Sequence, residues 1–156
     1  GKDFTMIEIS LEIVVLQCIT NLQGIHSERD VKLDKQITWP ILYIDEEKIH
    51  QVCTNVLSNA IKYSPEGGDI NISTAHRIVD KQEQFGLSIQ DYGIGLSPSQ
   101  LSRVGERFYR ADESGSIPGT GLGLALVKEI MAVHKGKMEI VSKQNTGTTV
   151  TIWFPV

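Results

Sequence analysis

Asn55, Asn59, Lys62 and Tyr63 recur at three- and four-residue spacing in the run from Gln51 to Tyr63. On a helix that spacing gathers them on one face. Ile49, Val52, Cys53, Val56, Leu57 and Ala60 fall on the adjoining stripe, which is apolar. The polar face holds two amides, a cation and a phenol, and no acid. An amide oxygen can join the oxygen shell of Mg²⁺, which takes few protein ligands and completes its shell with substrate phosphates. Lysine meets a phosphate as a point charge.

Two further runs carry chemistry. Asp91-Tyr92-Gly93-Ile94-Gly95 follows a strand pattern in which Leu87 and Ile89 share parity with Asp91. The carboxylate is therefore expected on the core side, where an acid needs a partner. The flanking glycines are expected to leave open space, so the acid could accept a hydrogen bond from a ligand amine such as that of adenine. Gly119-Thr120-Gly121-Leu122-Gly123-Leu124 runs straight into a helical pattern. Glycine-rich backbone at a helix N-terminus is an anion site, because free N–H groups and the helix dipole converge there. It is not a Rossmann fingerprint, since Leu124 stands where the third glycine belongs, and no Gly-Lys-Ser/Thr or His-Arg-Asp occurs. Together the three runs supply the parts of an ATP–Mg²⁺ site.

The elements that would position these residues read as follows. Leu11, Val14, Val15, Cys18, Ile19, Leu22 and Ile25 mark a first amphipathic helix. Val31–Ile37 alternates like a strand and Ile41–Ile44 is a short apolar run. Asp45 caps the second helix, with Glu46 and Glu47 in its first turn. Strand patterns follow at Ile70–Ala75 and Gly86–Asp91. Ser97-Pro98-Ser99-Gln100 has the form of a capping box. A third long helix is expected from about Leu122 to His134, stopping at Gly136. Met138–Ser142 and Thr148–Phe154 close the chain as a hairpin through Asn145-Thr146-Gly147. The expected fold class is α+β: a two-layer α/β sandwich, with a mixed sheet of about five strands covered on one face by about three helices. The segment from Leu96 to Pro118 is too long and polar for that sandwich, and half of the 14 glycines lie between residues 93 and 123.

Composition narrows the function classes. The 156 residues suit one domain, expected to span 1–156. A net charge of −4 without a basic cluster argues against a nucleic-acid surface. No apolar run approaches the ~20 residues of a membrane span, so no direct membrane contact is expected of this segment. Gly1 in place of Met points to an excised segment. Cys18 and Cys53 both fall on apolar helical faces, which reads as buried thiols in a cytoplasmic setting. His50, His76 and His134 read as structural, with His134 in a last turn that favours a cation.

In their order and spacing these runs resemble the motifs of bacterial sensor histidine kinases over residues 30–156. Gln51–Pro65 looks like the N box, Asp91-x-Gly93-x-Gly95 the first glycine box, and Glu106–Asp112 the phenylalanine box. Gly119–Leu124 resembles the second glycine box and Gly147-Thr148 the last glycine motif. The resemblance implies the Bergerat ATP-binding fold shared with gyrase, MutL and the 90-kDa heat-shock chaperones. It implies ATP and Mg²⁺ as cofactors. Asn59 would hold Mg²⁺, Lys62 the phosphates and Tyr63 the adenine. Asp91 would accept the adenine amine with Thr148 close by. Gly93, Gly95 and Leu96 would shape the pocket, and Gly119, Thr120, Gly121, Leu122, Gly123 and Leu124 would cradle the triphosphate. Residues 96–118 would form an ATP lid with Phe108 as its latch and Arg110 toward the γ-phosphate. Asn55 stands where water-activating relatives have a glutamate base, which favours phosphotransfer over hydrolysis.

The activity implied is transfer of the γ-phosphoryl group to a histidine on a separate dimerisation domain, with a response regulator downstream. No Ser-His-Glu-Leu-Arg-Thr-Pro-like acceptor segment occurs, and His26-Ser27-Glu28-Arg29 only echoes it. The chain is accordingly expected to be a monomer that lacks acceptor and sensor domains, in a parent that could be anchored in the inner membrane. The alternatives are a serine kinase of the anti-sigma type and a nucleotide-binding module without catalysis. Lys135 stands where the family often has glycine, a departure expected to affect only the turn.

Overall fold

The computed structural model describes residues 3–34, 36–104 and 123–156. Among the described residues seven strands and four helices follow one another: β1 Met6–Ser10, α1 Leu11–Ile25, β2 Asp30–Leu33, β3 Ile41–Asp45, α2 Glu46–Lys62, β4 Asp69–Val79, β5 Gln82–Asp91, α3 Pro98–Arg103, α4 Gly123–Val133, β6 Lys137–Lys143 and β7 Gly147–Pro155. Five strands form one mixed sheet in the order β2-β4-β5-β7-β6. Only the β2–β4 pair is parallel; the other neighbours are antiparallel. The α+β reading holds. β1 and β3 form a separate antiparallel ribbon, and β1 carries no turn signal ahead of it that would have marked it in the sequence.

One face of the sheet carries Ile70, Ile72, Leu87, Ile89, Val150 and Ile152, all buried with the apolar stripes of α1, α2 and α4. Burying this face is the main source of stability, at roughly 1.5–3 kcal/mol for each large aliphatic side chain. The opposite face is mostly polar; Trp153 is its one buried large side chain among the described residues, while Val79 and Val141 are exposed on it. The Trp153 ring lies flat over Gly86, where a Cβ would stand 2.6 Å from it. Arg77 stacks 3.8 Å from the ring centroid, and the indole N–H donates to Glu139 at 2.8 Å. Cation–π stacking and a satisfied indole explain a tryptophan that is only 8% exposed on the open face.

The first helix buries Leu11, Val14, Val15, Cys18 and Leu22, but Ile25, its last residue, is exposed. Cys18 and Cys53 are buried and free, as expected. β2 is shorter than the alternating run and ends at Leu33. β4 and β5 are longer than expected and meet in a two-residue hairpin. Asp80 and Lys81 both take positive φ there, without the Asn-Gly that normally announces such a turn. The capping box at Ser97 is present in both directions: Gln100 N–H donates to Ser97 Oγ and Ser97 N–H to Gln100 Oε1.

The end of α4 differs from its reading. Lys135, not Gly136, takes the left-handed conformation, at φ 58°. Gly136 N–H donates to Met131 O and Lys135 N–H to Ala132 O, a Schellman motif with lysine in the glycine's usual place. Gly136 is needed for a different reason, since a Cβ there would stand 2.3 Å from Trp153 O. His134 is buried and its ring is fully used. Nε2 accepts the Asp45 N–H at 3.0 Å and Nδ1 donates to Ile130 O at 2.9 Å, so both ring nitrogens are committed to backbone groups.

Candidate functional site

The second helix is the spine of the site. Asp45 caps it as expected, accepting from Lys48 N–H at 2.9 Å. Its stripe of Ile49, Val52, Cys53, Val56, Leu57, Ala60 and Ile61 is buried. This fixes the rotation of the helix, and Asn55, Asn59, Lys62 and Tyr63 emerge half-buried beside it. The Asn55 amide N–H donates to Gly123 O at 3.4 Å, tying the middle of α2 to the first residue of α4. Asn59 faces the same residue: a Cβ on Gly123 would lie 4.0 Å from Asn59 Oδ1. Lys62, in the last turn, has no hydrogen bond or ion pair to the described residues.

Asp91 ends β5 on the core side, 4% exposed. Its Oδ1 accepts the Gly93 N–H at 2.9 Å. Burial pushes the carboxyl from 3.8 up to about 6, against the opposing pull of the Gly93 and Thr148 N–H groups and the Arg29 charge. A buried acid this basic, with hydrogen bonds from neutral donors, is equipped to accept from a ligand amine.

The glycines beside it do something other than leave space. A Cβ on Gly93 would stand 1.9 Å from Tyr63 O. Gly95, at φ 65°, would meet Lys143 O at 2.0 Å, and Gly147, at φ 141°, would meet Asp91 O at 2.2 Å. The loop after β5 is thus wedged between the end of α2 and the β6–β7 turn. Ile94 N–H donates to Tyr63 O, and Asn145 N–H to Ile94 O. Backbone, not an open pocket, fills the positions where side chains would be.

The structure brings Asn55, Asn59 and Gly123 together where α2 meets α4. It brings Tyr63, Asp91, Gly93, Gly95, Leu96 and Thr148 together at the ends of α2, β5 and β7. Leu124 packs on the core. Phe108, Arg110 and Gly119–Leu122, and most of the expected lid, lie outside the described residues. Three contributors escaped sequence reasoning. Ser142 Oγ accepts Leu96 N–H at 2.8 Å, donates to Gly147 O at 3.1 Å and pairs with Thr148 Oγ1 at 2.7 Å, which orients the Thr148 hydroxyl. Arg29 and Ser64 are buried at the end of α2. An arginine in a polar turn and a serine before proline carry no local signal of burial. A separate groove of about 780 Å³ opens between β1, α1 and the start of α2, lined by Gln17, Asn21, Glu47 and Gln51 among others. It contains none of the site residues.

The fold and site define a two-layer sandwich with an amide-bearing helix facing a buried acid. Residues 44–156 match the family described as histidine kinase-, DNA gyrase B- and HSP90-like ATPase, and the chain belongs to that family. It is 41% identical over 114 residues to the sensor histidine kinase WalK of Bacillus subtilis strain 168, covering 72% of this chain and 18% of WalK. It is 34% identical over 148 residues to the adaptive-response sensory kinase SasA of Gloeothece citriformis, covering 94% of this chain and 37% of SasA. The chain therefore spans less than half the length of these curated relatives. Among solved structures, the mycobacterial sensor histidine kinase MprB superposes with a TM-score of 0.81 at 28% identity, covering 96% of this chain and 97% of that one. Among the described residues no helix is long and apolar enough to cross a membrane.

Proposed function

We propose that this chain is the catalytic, ATP-binding domain of a sensor histidine kinase, spanning residues 1–156, with residues 96–118 as its lid. It binds ATP with Mg²⁺ and passes the γ-phosphoryl group to a histidine on the dimerisation domain of its parent. From there a response regulator receives the phosphoryl group. The reading places the domain in the cytoplasm. Asp91 accepts the adenine amine, with Thr148 beside it and Tyr63 against the ring. Lys62 neutralises phosphate charge, as does Arg110. Gly119–Leu124 offers backbone N–H groups to the triphosphate. The donor set fits Mg²⁺, since one amide oxygen from Asn59 plus phosphate oxygens meets its preference for few protein ligands. When bound, the ion neutralises charge on the transferring group.

One observation favours transfer over hydrolysis: the Asn55 amide is spent on Gly123 O. The amide holds the two helices together, and a neutral amide is too weak a base to take a proton from water. In the transfer, a histidine nitrogen attacks the γ-phosphorus in line, a P–N bond forms, and the bond to the β–γ bridging oxygen breaks to release ADP. With an amide at position 55 in place of a base, positioning and charge neutralisation carry the rate.

The test is to mix this chain with the isolated histidine-bearing domain of its parent and ATP labelled on the γ-phosphate. Acid-labile, alkali-stable label on that domain is the expected result, and Asn59→Ala should remove both Mg²⁺-dependent ATP binding and label. Phosphoserine on an anti-sigma-type partner, or ATP binding with no transfer at all, would overturn the reading.

A further inference from the structure

Asp91, Thr148 and Ser142 stand in register across the end of the sheet. Asp91 of β5 pairs with Thr148 of β7, and Thr148 with Ser142 of β6. The three share the parity of Ile89, Val150 and Ile140, so their side chains form one polar row at the edge of the core face. The first two are legible in the sequence as parts of the site. Ser142 is not, and the contacts of its hydroxyl can be counted proton by proton.

A serine hydroxyl has one proton to give and two lone pairs to accept with. Leu96 N–H donates to Ser142 Oγ at 2.8 Å and takes one lone pair. Gly147 O, 3.1 Å away, is a carbonyl that can only accept, so it takes the single proton. Thr148 Oγ1 lies 2.7 Å from the same Ser142 oxygen. With the Ser142 proton already given, that contact is a hydrogen bond only when Thr148 is the donor. Thr148 thus spends its own proton on Ser142, and among the described residues its hydroxyl has no other partner. The half-buried Thr148 oxygen keeps lone pairs alone. Holding Leu96 against the β6–β7 turn accounts for the first two contacts of Ser142 and not for the third.

We propose that Ser142 is a positioning residue for base recognition: by taking the Thr148 proton it fixes Thr148 Oγ1 as a hydrogen-bond acceptor beside the Asp91 carboxylate. The inference rests on the reading that Asp91 takes an amine of the nucleotide. An exocyclic amine carries two N–H groups, and a carboxylate with an acceptor hydroxyl next to it suits a group that only donates. A purine with a carbonyl in that place, as in inosine triphosphate, is rejected. Its ring N–H can satisfy Asp91, but its carbonyl then meets an oxygen that has no proton to give, and an acceptor left unpaired away from water is costly. A threonine without Ser142 would discriminate less, because its hydroxyl turns to donate wherever an acceptor is offered.

The experiment measures the Kd of ATP and of inosine triphosphate by calorimetry at about pH 8, above the Asp91 value of about 6, so that the carboxylate is ionised. The two nucleotides share sugar and phosphates, so those contributions cancel in the ratio of their Kd values. The native chain should bind inosine triphosphate about 30- to 100-fold more weakly than ATP. Ser142→Ala should lower that ratio by about five- to ten-fold, chiefly by tightening inosine triphosphate, since the freed Thr148 proton can turn to the carbonyl. Ser142→Thr, which keeps the hydroxyl, should retain the native ratio. Thr148→Val should lower the ratio too, and adding Ser142→Ala to it should change the ratio no further. A native ratio in Ser142→Ala overturns the proposal, because a merely structural loss of the Leu96 and Gly147 contacts weakens both nucleotides alike. A further fall in the double variant also overturns it, since Ser142 would then act by a route other than Thr148. A native chain that binds both nucleotides equally rejects the reading of Asp91 as the amine acceptor, and the proposal with it. If Ser142→Ala does not fold, Thr148→Val decides: an unchanged ratio there refutes the acceptor role.

Discussion

Replacing Asp91 by asparagine should separate stability from binding. Burial raises this carboxyl from 3.8 to about 6. The folded state therefore holds the proton more tightly than the unfolded chain does. Stability contributed by this group falls as pH rises from about 4 to about 6, and stays at the lower level above that. A two-unit shift corresponds to about 3 kcal/mol. Tyr92 and Ile94, exposed on the same turn, bring water close, so an effective penalty of about 1–2 kcal/mol is the better figure. Asparagine removes the charge, and its Oδ1 can still accept Gly93 N–H.

Asp91→Asn should therefore stabilise the nucleotide-free chain by about 1–2 kcal/mol at pH 8, a rise of about 3–6 °C in Tm. The gain should roughly halve at pH 5, where the native carboxyl is already protonated in the folded state. The same substitution should weaken ATP binding by about 10- to 100-fold. With Oδ1 committed to Gly93, the variant turns an N–H toward the ligand amine, and a hydrogen bond to a charged acceptor is worth about 1.5–3 kcal/mol. Thermal unfolding at the two pH values and calorimetry with ATP read both effects. A variant less stable at pH 8, or a gain of equal size at both pH values, would refute the burial argument. An unchanged Kd would refute the recognition role.

Two other substitutions test the backbone reading. Lys135→Gly relieves a lysine at φ 58° and should stabilise the chain by about 0.5–1 kcal/mol in urea unfolding, with ATP affinity unchanged; a loss of stability would mean the Schellman turn is not strained. Gly93→Ala places a methyl 1.9 Å from Tyr63 O, which is backbone and cannot swing aside; it should destabilise by about 1–3 kcal/mol and weaken ATP binding together, and an alanine variant with native stability would contradict the wedged loop.

The patterned elements were legible because burial and periodicity agree in them. The α2 stripe, the Asp45 cap, the Ser97 capping box and the core-side parity of Asp91 all depend on spacing within one element. What escaped depends on contacts between elements. The Asp80-Lys81 hairpin is specified by strand pairing over Asn71–Val79, not by its turn residues. Gly93 and Gly95 were read as walls of a space, yet the requirement comes from carbonyls at Tyr63 and Lys143, far away in sequence. His134 was read as structural from its helix position, but its partner, the Asp45 N–H, is 89 residues away in sequence and had no local signal. Arg29 gave no signal, since only the folded chain places it at the end of α2.

These contacts explain how a helix held by apolar packing can present a site accurately. A stripe of Ile, Val, Leu and Ala fixes which side of α2 faces the sheet, but hydrophobic contact is non-directional and tolerates small slides and rotations. Hydrogen bonds do not, because they weaken steeply off their preferred angles. α2 is pinned by such bonds at both ends. At its start the Asp45 N–H meets His134, the residue after α4, and the Asp45 carboxylate takes Thr5 and Lys48 N–H. At its end Arg29 grips Ile61 and Ser64, and Tyr63 O takes the Ile94 N–H beside Asp91. In the middle, Asn55 reaches Gly123. Asn59 and Lys62 lie between these pins without partners of their own among the described residues. Their direction is set by polar bonds made by their neighbours, which is what the proposed Mg²⁺ and phosphate roles of these two side chains require.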